Sequence, residues 1–409
     1  MKKLMVVVAS LLGLVSCDSQ QGLTISVTNP TAEVRTQEMT EVAASLVYDR
    51  LRLGDSEQFV IYDEEGNEIP YQLTYDEKVV FPVDVDSMKT ASFSFQKGEP
   101  QLVNTLVFGA QYPGWQDDLA WENDKVAFRA YGPDVQKRGQ QAYGYDVFTK
   151  NVPELVMEYR YGLILNKDTW KTIRELRKNG EKAVADSIER SISYHVDHGT
   201  GMDCYQVGPT LGAGTAALMD GESIIYPYCY ENFEILDNGP LRYTMKLKFT
   251  PLVVKGDSNV VETRIIQLDK GSYLNKTVVS YENLNEKRDM AVGLVIHEPF
   301  ANRYQFNAQE GYLAYADPTQ NVNNNNGIIY VGAVFPNTMR EAKVQLFEKS
   351  KGGALGHVLG LSEYVPGEDF VYYWGSGWSK AGFKSDEQWV DYLQKYAQKV
   401  RKPLIVEIN

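Results

Sequence analysis

The sequence predicts a mainly β protein whose largest part is an antiparallel β-sandwich. Several segments alternate apolar and polar residues with a period of two, as strands with one buried face do. Turn residues, for example those at 63–66 and 269–271, separate these segments. Tyrosine, which is frequent in strands, occurs 27 times among the 409 residues. Helical periodicity is confined to two regions, so we expect few helices.

The first strands predict a small N-terminal β module over residues 23–100. Segments 23–27 and 91–95 alternate, and segments 59–62 and 68–71 flank a turn. Gly98 and Pro100 then interrupt the pattern. Residues 101–409 are expected to form the large sandwich, closed by a strand at 403–408. Its other strands are placed at 241–249, 261–268, 274–281, 290–296 and 328–331.

Helical insertions are expected near 168–191 and at 385–401. We expect Asp168 to cap a helix over 170–177, and a second helix follows Gly180. Ser385 and Gln388 form a capping-box pattern at the start of the last helix. One face of that helix should pack on the body of the protein; it carries Trp389, Tyr392, Leu393, Tyr396 and Val400.

Residues 1–17 have the pattern of a bacterial lipoprotein signal peptide. Lys2 and Lys3 precede an apolar run over 4–15, which is too short to span a bilayer. The segment that ends in Ser16-Cys17 resembles a lipobox, so Cys17 is expected to be lipidated and residues 18–22 to form a tether. This predicts an outer-membrane lipoprotein that faces the periplasm or the cell surface. The alternative is an ordinary signal peptide with a chance cysteine.

Charge and missing motifs exclude several classes of protein. The formal net charge of −13 disfavours a nucleic-acid binder, which needs a basic surface. The sequence has no Gly-x-Ser-x-Gly elbow, no P-loop and no dinucleotide fingerprint after a strand, which disfavours serine hydrolases, NTPases and dinucleotide enzymes. In an oxidising compartment Cys204 and Cys229 form either a disulfide or two buried thiols.

The densest polar segment is 194–205, which contains His195, His198, Asp203 and Tyr205. A His-x-x-His spacing can serve a metal, but the glutamate of the zincin pattern is missing, so no cofactor is expected. We interpret the two histidines as catalytic residues, and Asp203 and Tyr205 as substrate-binding residues. The alternative is a histidine pair packed in a structured loop.

The other two histidines lie in different settings. His297 and Glu298 end an apolar strand, and neighbouring strand residues point to opposite faces. We place His297 toward a cleft as a catalytic candidate and Glu298 as a substrate-binding candidate; the alternative for His297 is a core histidine bonded to backbone. His357 stands among four glycines, which favours a loop shaped for substrate binding over a plain surface turn.

Arg129 and Tyr131 are predicted to share the ligand-facing side of a strand that begins near Lys125. The arginine fork suits a carboxylate, and a tyrosine beside it can have a lowered pKa and act as acid or base. The alternative is that Arg129 pairs structurally with a nearby acid. Trp374 and Trp378, on a predicted glycine-rich loop over 372–378, are suited to stacking on sugar rings but also to a core.

Three motifs make the chain similar to the domain of unknown function 4861 family of secreted Bacteroidetes proteins. They are Trp121-Glu-Asn-Asp-x-x-Ala-Phe-Arg129-x-Tyr131-Gly-Pro133, then His198-Gly-x-Gly-x-Asp203-Cys-Tyr-x-Val-Gly208 followed by Thr210-Leu-Gly-Ala-Gly214, and Gly239-Pro-Leu-Arg. The resemblance spans nearly the whole mature chain. It implies a galactose-mutarotase-like supersandwich and a setting in polysaccharide utilisation, beside enzymes that process uronic-acid oligosaccharides. It also implies that Trp121, Arg129, Tyr131, His198, Asp203 and Tyr205 lie in the cleft.

These observations predict a lipid-anchored, carbohydrate-active protein that acts on uronate-containing oligosaccharides or polysaccharides. As a lyase, it would use Arg129 to neutralise the uronate carboxylate, His198 or Tyr131 to take the C5 proton, and a neighbouring histidine or tyrosine to protonate the leaving oxygen. As a hydrolase, it would use paired carboxylates such as Asp203 and Glu298. The alternatives are a glycan-binding lipoprotein without turnover and a sugar epimerase of mutarotase type.

Overall fold

The computed structural model describes residues 22–409, and most of these residues lie in antiparallel sheets. The predicted signal peptide, Cys17 of the predicted lipobox and most of the predicted tether lie outside the described residues. None of the helices in the described part combines the length and the apolar composition needed to cross a membrane.

The N-terminal module consists of two sheets and one helix around a core of Val, Ile and Phe side chains. Its elements are β1 (Leu23–Thr28), β2 (Arg35–Ala43), α1 (Ala44–Leu51), β3 (Phe59–Tyr62), β4 (Glu68–Ile69), β5 (Gln72–Leu73), β6 (Lys78–Val85) and β7 (Thr90–Lys97). The last strand of the chain, Ile405–Ile408, pairs antiparallel with β1, so that Ile25 is opposite Ile408. Residues 405–408 therefore join the module's sheet and do not close the large sandwich.

A four-stranded sheet and four helices follow the module. They are β8 (Phe108–Tyr112), β9 (Asp118–Glu122), β10 (Ala127–Ala130), α2 (Pro133–Lys137), β11 (Asp146–Phe148), α3 (Met157–Ile164), α4 (Lys167–Lys178) and α5 (Lys182–Ile192). The strand order is β11-β10-β9-β8. Helix α3 packs its Tyr161 against Phe148, so it covers one face of this sheet.

The large sandwich contains two facing antiparallel sheets. Its strands are β12 (Ala213–Asp220), β13 (Ser223–Ile225), β14 (Tyr230–Asn238), β15 (Arg242–Phe249), β16 (Leu252–Val254), β17 (Asp257–Asp269), β18 (Leu274–Glu282), β19 (Arg288–His297), β20 (Tyr304–Asn307), β21 (Tyr312–Asp317), β22 (Ile329–Val334), β23 (Glu341–Lys351), β24 (Ala354–Tyr364) and β25 (Phe370–Trp378). One sheet has the order β13-β12-β19-β24-β23, and the other β14-β15-β17-β18-β25-β22-β21-β20, with β16 on β17. The predicted mainly β, antiparallel sandwich is confirmed.

The chain ends with α6 (Asp386–Arg401) and β26 (Ile405–Ile408). The Ser385 side chain accepts a hydrogen bond from the Gln388 main-chain N–H, as the capping box predicts. Trp389, Leu393 and Ala397 are buried in one core cluster with residues of β21 and β22. The prediction for this helix is confirmed.

The predicted cap of α4 is wrong. Asn166 is the N-cap, and its Oδ1 accepts from the Thr169 N–H at 3.0 Å, whereas Asp168 lies in the first turn. Both side chains suit a helix start, because an amide oxygen and a carboxylate accept equally well and the carboxylate also favours the positive end of the helix. Helices α4 and α5 nevertheless cover the predicted helical region 168–191.

Cys204 and Cys229 are buried and unbridged. Burial raises the pKa of both thiols, which keeps them protonated and unreactive. We expect both cysteines to react with iodoacetamide after unfolding without reductant, and neither in the folded protein. Peptide mass spectrometry checks this; a pair that stays unlabelled until reduction would contradict it.

Candidate functional site

A buried cluster of charges lies where β9, β10 and β11 meet. Arg129 is opposite Asp146 in the β10–β11 register, and its Nε donates to Asp146 Oδ2 at 3.1 Å. Its Nη2 also donates to Asp146 and, at 2.9 Å, to Asp203 Oδ2, while Nη1 lies 3.5 Å from Asp118 Oδ2. One guanidinium is therefore surrounded by three carboxyl groups.

The expected ligand-facing position of Arg129 is wrong. Only 4% of the residue is exposed, and every residue of β10 is buried. Helix α3 covers the face on which the arginine lies, and its Tyr161 donates to Asp118 at 3.0 Å. Since Arg129 already binds carboxylates of the protein, it is not free to bind one from a substrate.

Tyr131 is tied to the same cluster. It accepts from Arg129 Nη2 at 3.0 Å and donates to Asp146 Oδ2 at 2.5 Å. Burial raises the pKa of Tyr131 well above its usual range; Arg129 opposes this, while Asp146 and Asp203 add to it. The expected lowered pKa is wrong, and the phenol stays protonated.

Two carboxyl groups of the cluster titrate near neutrality. Burial, followed by the charge of Asp146, raises the pKa of Asp203 to about 7, although Arg129 opposes the shift. Burial raises the pKa of Asp118 to about 6 against the opposing effect of Arg129. Strongly shifted carboxyl groups beside a specific charge partner are a feature of functional sites.

The raised pKa of Asp203 predicts how stability depends on pH. A carboxyl group with a higher pKa in the folded protein than in the unfolded chain favours folding at low pH, and this contribution is lost as pH rises through about 7. We expect Asp203→Asn to weaken the decline in unfolding free energy between pH 5 and pH 8, measured by urea denaturation. Asp168→Asn, on an exposed residue, should leave the decline unchanged; equal slopes in all three proteins would refute the shift.

His195 connects this buried cluster to solvent. Its Nδ1 lies 3.1 Å from the main-chain oxygen of Asp203 and 3.6 Å from Asp203 Oδ2. A carbonyl oxygen only accepts, so Nδ1 carries the hydrogen and Nε2 holds the lone pair. The side chain is 52% exposed, and Nε2 has no hydrogen bond within residues 22–409. His195 is therefore held by one nitrogen and open to a ligand at the other.

His198 is exposed but is held differently. Its Nε2 lies 3.1 Å from the main-chain oxygen of Ser193. The two histidines of the His-x-x-His pair thus bond to different carbonyl groups and do not converge on one point. In the described part of the chain, no group of three or more His, Cys, Asp and Glu residues is arranged to hold a metal ion.

His297 forms a buried pair with Asp317. The two residues end β19 and β21, and Nδ1 lies 2.7 Å from Asp317 Oδ2. The ring meets Tyr205 edge to face at 6.5 Å, and both His297 Nε2 and the Tyr205 hydroxyl are buried without a partner among the described residues. Since His297 is buried and Glu298 exposed, they point to opposite faces, as the strand pattern predicts.

Residues 203–205 connect the surroundings of His195 to those of His297. Asp203 belongs to the Arg129 cluster and Tyr205 to the His297 pair, and the Gln320 N–H donates to the Cys204 oxygen at 2.8 Å. The structure therefore brings Arg129, Tyr131, His195 and Asp203 together, and it places His297 and Tyr205 on the next stretch of chain.

The three tryptophans of the predicted site lie in the core, with their indole N–H groups bonded to the protein. Trp121 donates to Asn275 Oδ1, Trp374 to Thr277 Oγ1 and Trp378 to the Asn326 oxygen, each at 2.8 Å. Segment 370–378 is the strand β25 and not a loop, so the expected sugar-stacking surface is wrong.

His357 is also a core residue. It lies within β24 and its Nε2 accepts from the Leu211 N–H at 3.1 Å. Burial lowers the pKa of His357 to about 3, so the ring is neutral at physiological pH. The expected substrate-binding loop at this position is wrong.

A separate cavity of about 510 Å³ lies between the N-terminal module and the large sandwich. Gln267, Lys276 and Tyr373, which are cross-strand neighbours on β17, β18 and β25, contribute to its wall. Tyr392 and Tyr396 of α6 contribute two more aromatic rings. This volume is in the range of pockets that hold small ligands.

Comparisons with known proteins give one family and distant relatives. The model of a family described as "Domain of unknown function (DUF4861)" matches residues 27–406. A protein of Formosa agariphila, named Uncharacterized protein P7, is 24% identical over 356 residues, which are 86% of this chain and 81% of that protein.

Two solved structures from Enterococcus faecalis overlap with the fold. An alpha-mannosidase gives a TM-score of 0.44 at 11% identity, over 95% of this chain and 46% of that one. A protein in the glycosyl hydrolase family 38 gives 0.43 at 9% identity, over 96% and 48%. The chain spans about half the length of these structures.

Proposed function

The chain belongs to the family described as domain of unknown function (DUF4861), and from the geometry of His195 and Asp203 we propose that it is a carbohydrate-active enzyme that acts on uronate-containing glycans. One observation carries the proposal. The exposed His195 ring is fixed at Nδ1 by the Asp203 carbonyl, and its Nε2 lone pair is open to solvent. A general base needs this combination of a fixed tautomer and an accessible nitrogen.

The reaction we propose is elimination at a uronate residue. His195 Nε2 takes the C5 proton, the C5–H electron pair forms the C4–C5 double bond, and the C4–O4 bond breaks. The leaving O4 takes up a proton from water. The products are an unsaturated uronate and a saccharide with a free hydroxyl group.

Asp203 is proposed to position His195 and to stabilise its charge. When His195 gains the proton, the Asp203 carboxyl 3.6 Å away stabilises the imidazolium in its ionised form. Arg129 holds that carboxyl in place, and Asp146 in turn holds Arg129. Arg129 is therefore a positioning residue in this scheme and does not bind the uronate.

The hydrolytic alternative has less support. Hydrolysis needs two carboxyl groups on either side of the glycosidic bond. Asp203 is 2% exposed and bonded to Arg129, whereas Glu298 is exposed at the end of β19. No contact joins these two residues in the described part of the chain.

The proposal includes the compartment. The lipobox at Cys17 and the resemblance to secreted proteins of polysaccharide utilisation support a lipid-anchored protein at the outer membrane. Membrane fractionation of cells that express the full chain or Cys17→Ser tests it. Release of Cys17→Ser into the soluble fraction supports the anchor, whereas equal membrane retention contradicts it.

A panel of pectic, arabinogalactan and other uronate oligosaccharides tests the activity. Elimination leaves the summed product mass equal to that of the substrate and creates an ultraviolet-absorbing double bond. Hydrolysis adds the mass of water and creates no such absorbance. New absorbance that His195→Ala abolishes supports the proposal; products with added water, or no products, contradict it.

The second candidate function is glycan capture without turnover, favoured by the 510 Å³ cavity between the module and the sandwich. Lys276 lies in its wall, and Tyr373 is its cross-strand neighbour. Binding of an oligosaccharide that is lost in Lys276→Met, retained in His195→Ala and not followed by product would favour this function.

A further inference from the structure

All but one of the buried arginines in the described chain pair with a carboxylate. Five arginines are buried in the described chain: Arg35, Arg129, Arg160, Arg242 and Arg264. Four of them contact a carboxylate: Arg35 with Glu38, Arg129 with Asp203, Arg242 with Asp269 and Arg264 with Glu262. Arg160, on α3, has no carboxylate oxygen within 4.0 Å among residues 22–409. Buried charges are normally paired, so this exception points to a missing anion.

The contacts of Arg160 are with neutral groups. Nη2 donates to the Thr200 oxygen at 2.6 Å and to Thr200 Oγ1 at 3.1 Å, and Nη1 lies 3.9 Å from Met157 Sδ. No hydrogen bond from Nε exists within the described residues. These contacts satisfy hydrogen-bond donors but leave the charge without a counter-ion, in a residue that is 6% exposed.

The nearest acids are engaged elsewhere. Glu122 binds the Lys150 ammonium and the main-chain N–H of Val156 and Met157. Asp197 Oδ1 accepts from two N–H groups of its own loop, at 2.8 and 3.0 Å, and Asp203 binds Arg129.

The electrostatics of these arginines agree with the geometry. Burial lowers the pKa of Arg160, although Glu122, Asp197 and Asp203 oppose the shift. Burial also lowers the pKa of Arg129, Arg242 and Arg264. In these three residues the contacting acids outweigh burial, so that the pKa is raised. Arg160 is therefore less well compensated than these three.

We propose that Arg160 binds the carboxylate of the uronate substrate, an inference that rests on the proposed function. The guanidinium Nε of Arg160 has no hydrogen bond within residues 22–409, so it is free to donate a charge-assisted hydrogen bond to a carboxylate. Thr200, which contacts Arg160, lies on the same loop as His195, and residues 197–199 of that loop are exposed. In a uronate the carboxylate is attached to C5, the carbon whose proton His195 is proposed to take.

Calorimetric titration with methyl glucuronide and methyl glucoside tests this site directly. We expect the purified protein to bind the charged sugar and not the neutral one. Arg160→Gln should weaken binding by at least about tenfold, which is the scale of a charge-assisted contact. Arg160→Lys should bind with intermediate affinity, because it keeps the charge but loses the donor at the position of Nε. Arg177→Gln, on exposed α4, is the matched control and should bind like the wild type.

The stability of Arg160→Gln gives a second readout. Since the variant removes an uncompensated buried charge, we expect its melting temperature to equal or exceed that of the wild type. A strongly destabilised Arg160→Gln would show that the charge is already compensated and would overturn the proposal. Equal affinity for methyl glucuronide in Arg160→Gln and wild type would overturn it too, as would equally tight binding of inorganic sulfate by the wild type.

The outcomes separate this site from the proposed enzyme activity. Binding of methyl glucuronide that depends on Arg160, without turnover of any oligosaccharide, keeps the anion site and removes the elimination reaction. Turnover with an unchanged KM in Arg160→Gln keeps the reaction and removes the anion site.

Discussion

His195→Ala should lower kcat for uronate elimination by about 100- to 10,000-fold, the usual contribution of a general base. The ring is 52% exposed and bonded to the protein through Nδ1 alone, so its loss should change the melting temperature by only a few degrees. Initial rates at saturating substrate, with a melting curve of each protein, measure both effects.

His198→Ala is the matched control for this prediction. His198 lies three residues away on the same loop and is also exposed, but its Nε2 is bonded to the Ser193 oxygen. It should therefore keep most of the activity, although the sequence alone favours it as the base. Equal losses of kcat in both variants would show that activity depends on the intact loop and not on His195 Nε2.

Arg129→Gln should cost about 3–5 kcal/mol of unfolding free energy, the usual effect of breaking a buried ion pair from one side. The variant leaves Asp118, Asp146 and Asp203 buried together without their cation. Arg129 opposes the raised pKa of Asp118 and of Asp203, so without it these two carboxyl groups take up protons more readily in the folded protein. Urea denaturation at pH 7 measures the loss.

Arg129→Gln should lose less unfolding free energy at lower pH. Protonation of Asp118 and Asp203 reduces the repulsion within the cluster, so the difference between wild type and Arg129→Gln should be smaller at pH 5 than at pH 7. Arg177→Gln, on an exposed residue, should cost less than about 1 kcal/mol at both pH values. A loss for Arg129→Gln that is small, or that does not change with pH, would refute the described cluster.

Much of the fold follows from short-range patterns in the sequence. The alternation in 261–268 puts Glu262, Arg264 and Ile266 on one buried face, and the observed strand β17 extends it to Asp257–Asp269. The capping box at Ser385 fixes the start of α6 within one residue. Such patterns involve residues that are close together in the sequence, so they can be recognised without a structure.

The prediction of a loop around Trp374 and Trp378 was wrong because it relied on local glycine content, whereas the role of these glycines depends on distant residues. A side chain on Gly375 would place a Cβ 2.0 Å from the Tyr273 oxygen, and one on Gly377 would lie 2.3 Å from Phe383. These glycines permit close packing of strand β25 and do not mark a loop. Trp374 and Trp378 are therefore core residues, and their burial depends on chain segments distant in sequence.

The candidate site was only partly predictable. Arg129, His195 and Asp203 stand out in the sequence as polar residues in dense motifs. Their partner Asp146 is identified only by the pairing of β10 with β11, since no spacing relates residues 129 and 146. Arg160 lies in a short helix without clear amphipathic character, and its missing counter-ion is visible only when all buried arginines are compared.

The fate of the C5 hydrogen distinguishes elimination by His195 from hydrolysis and from epimerisation. A uronate oligosaccharide deuterated at C5 is incubated with the purified protein, and the products are analysed by mass spectrometry. We expect an unsaturated uronate that has lost its deuterium to solvent, and no such product with His195→Ala. Saturated products that keep the deuterium and gain water would show hydrolysis, and a saturated sugar that loses the deuterium would show epimerisation. Either result would contradict elimination by His195.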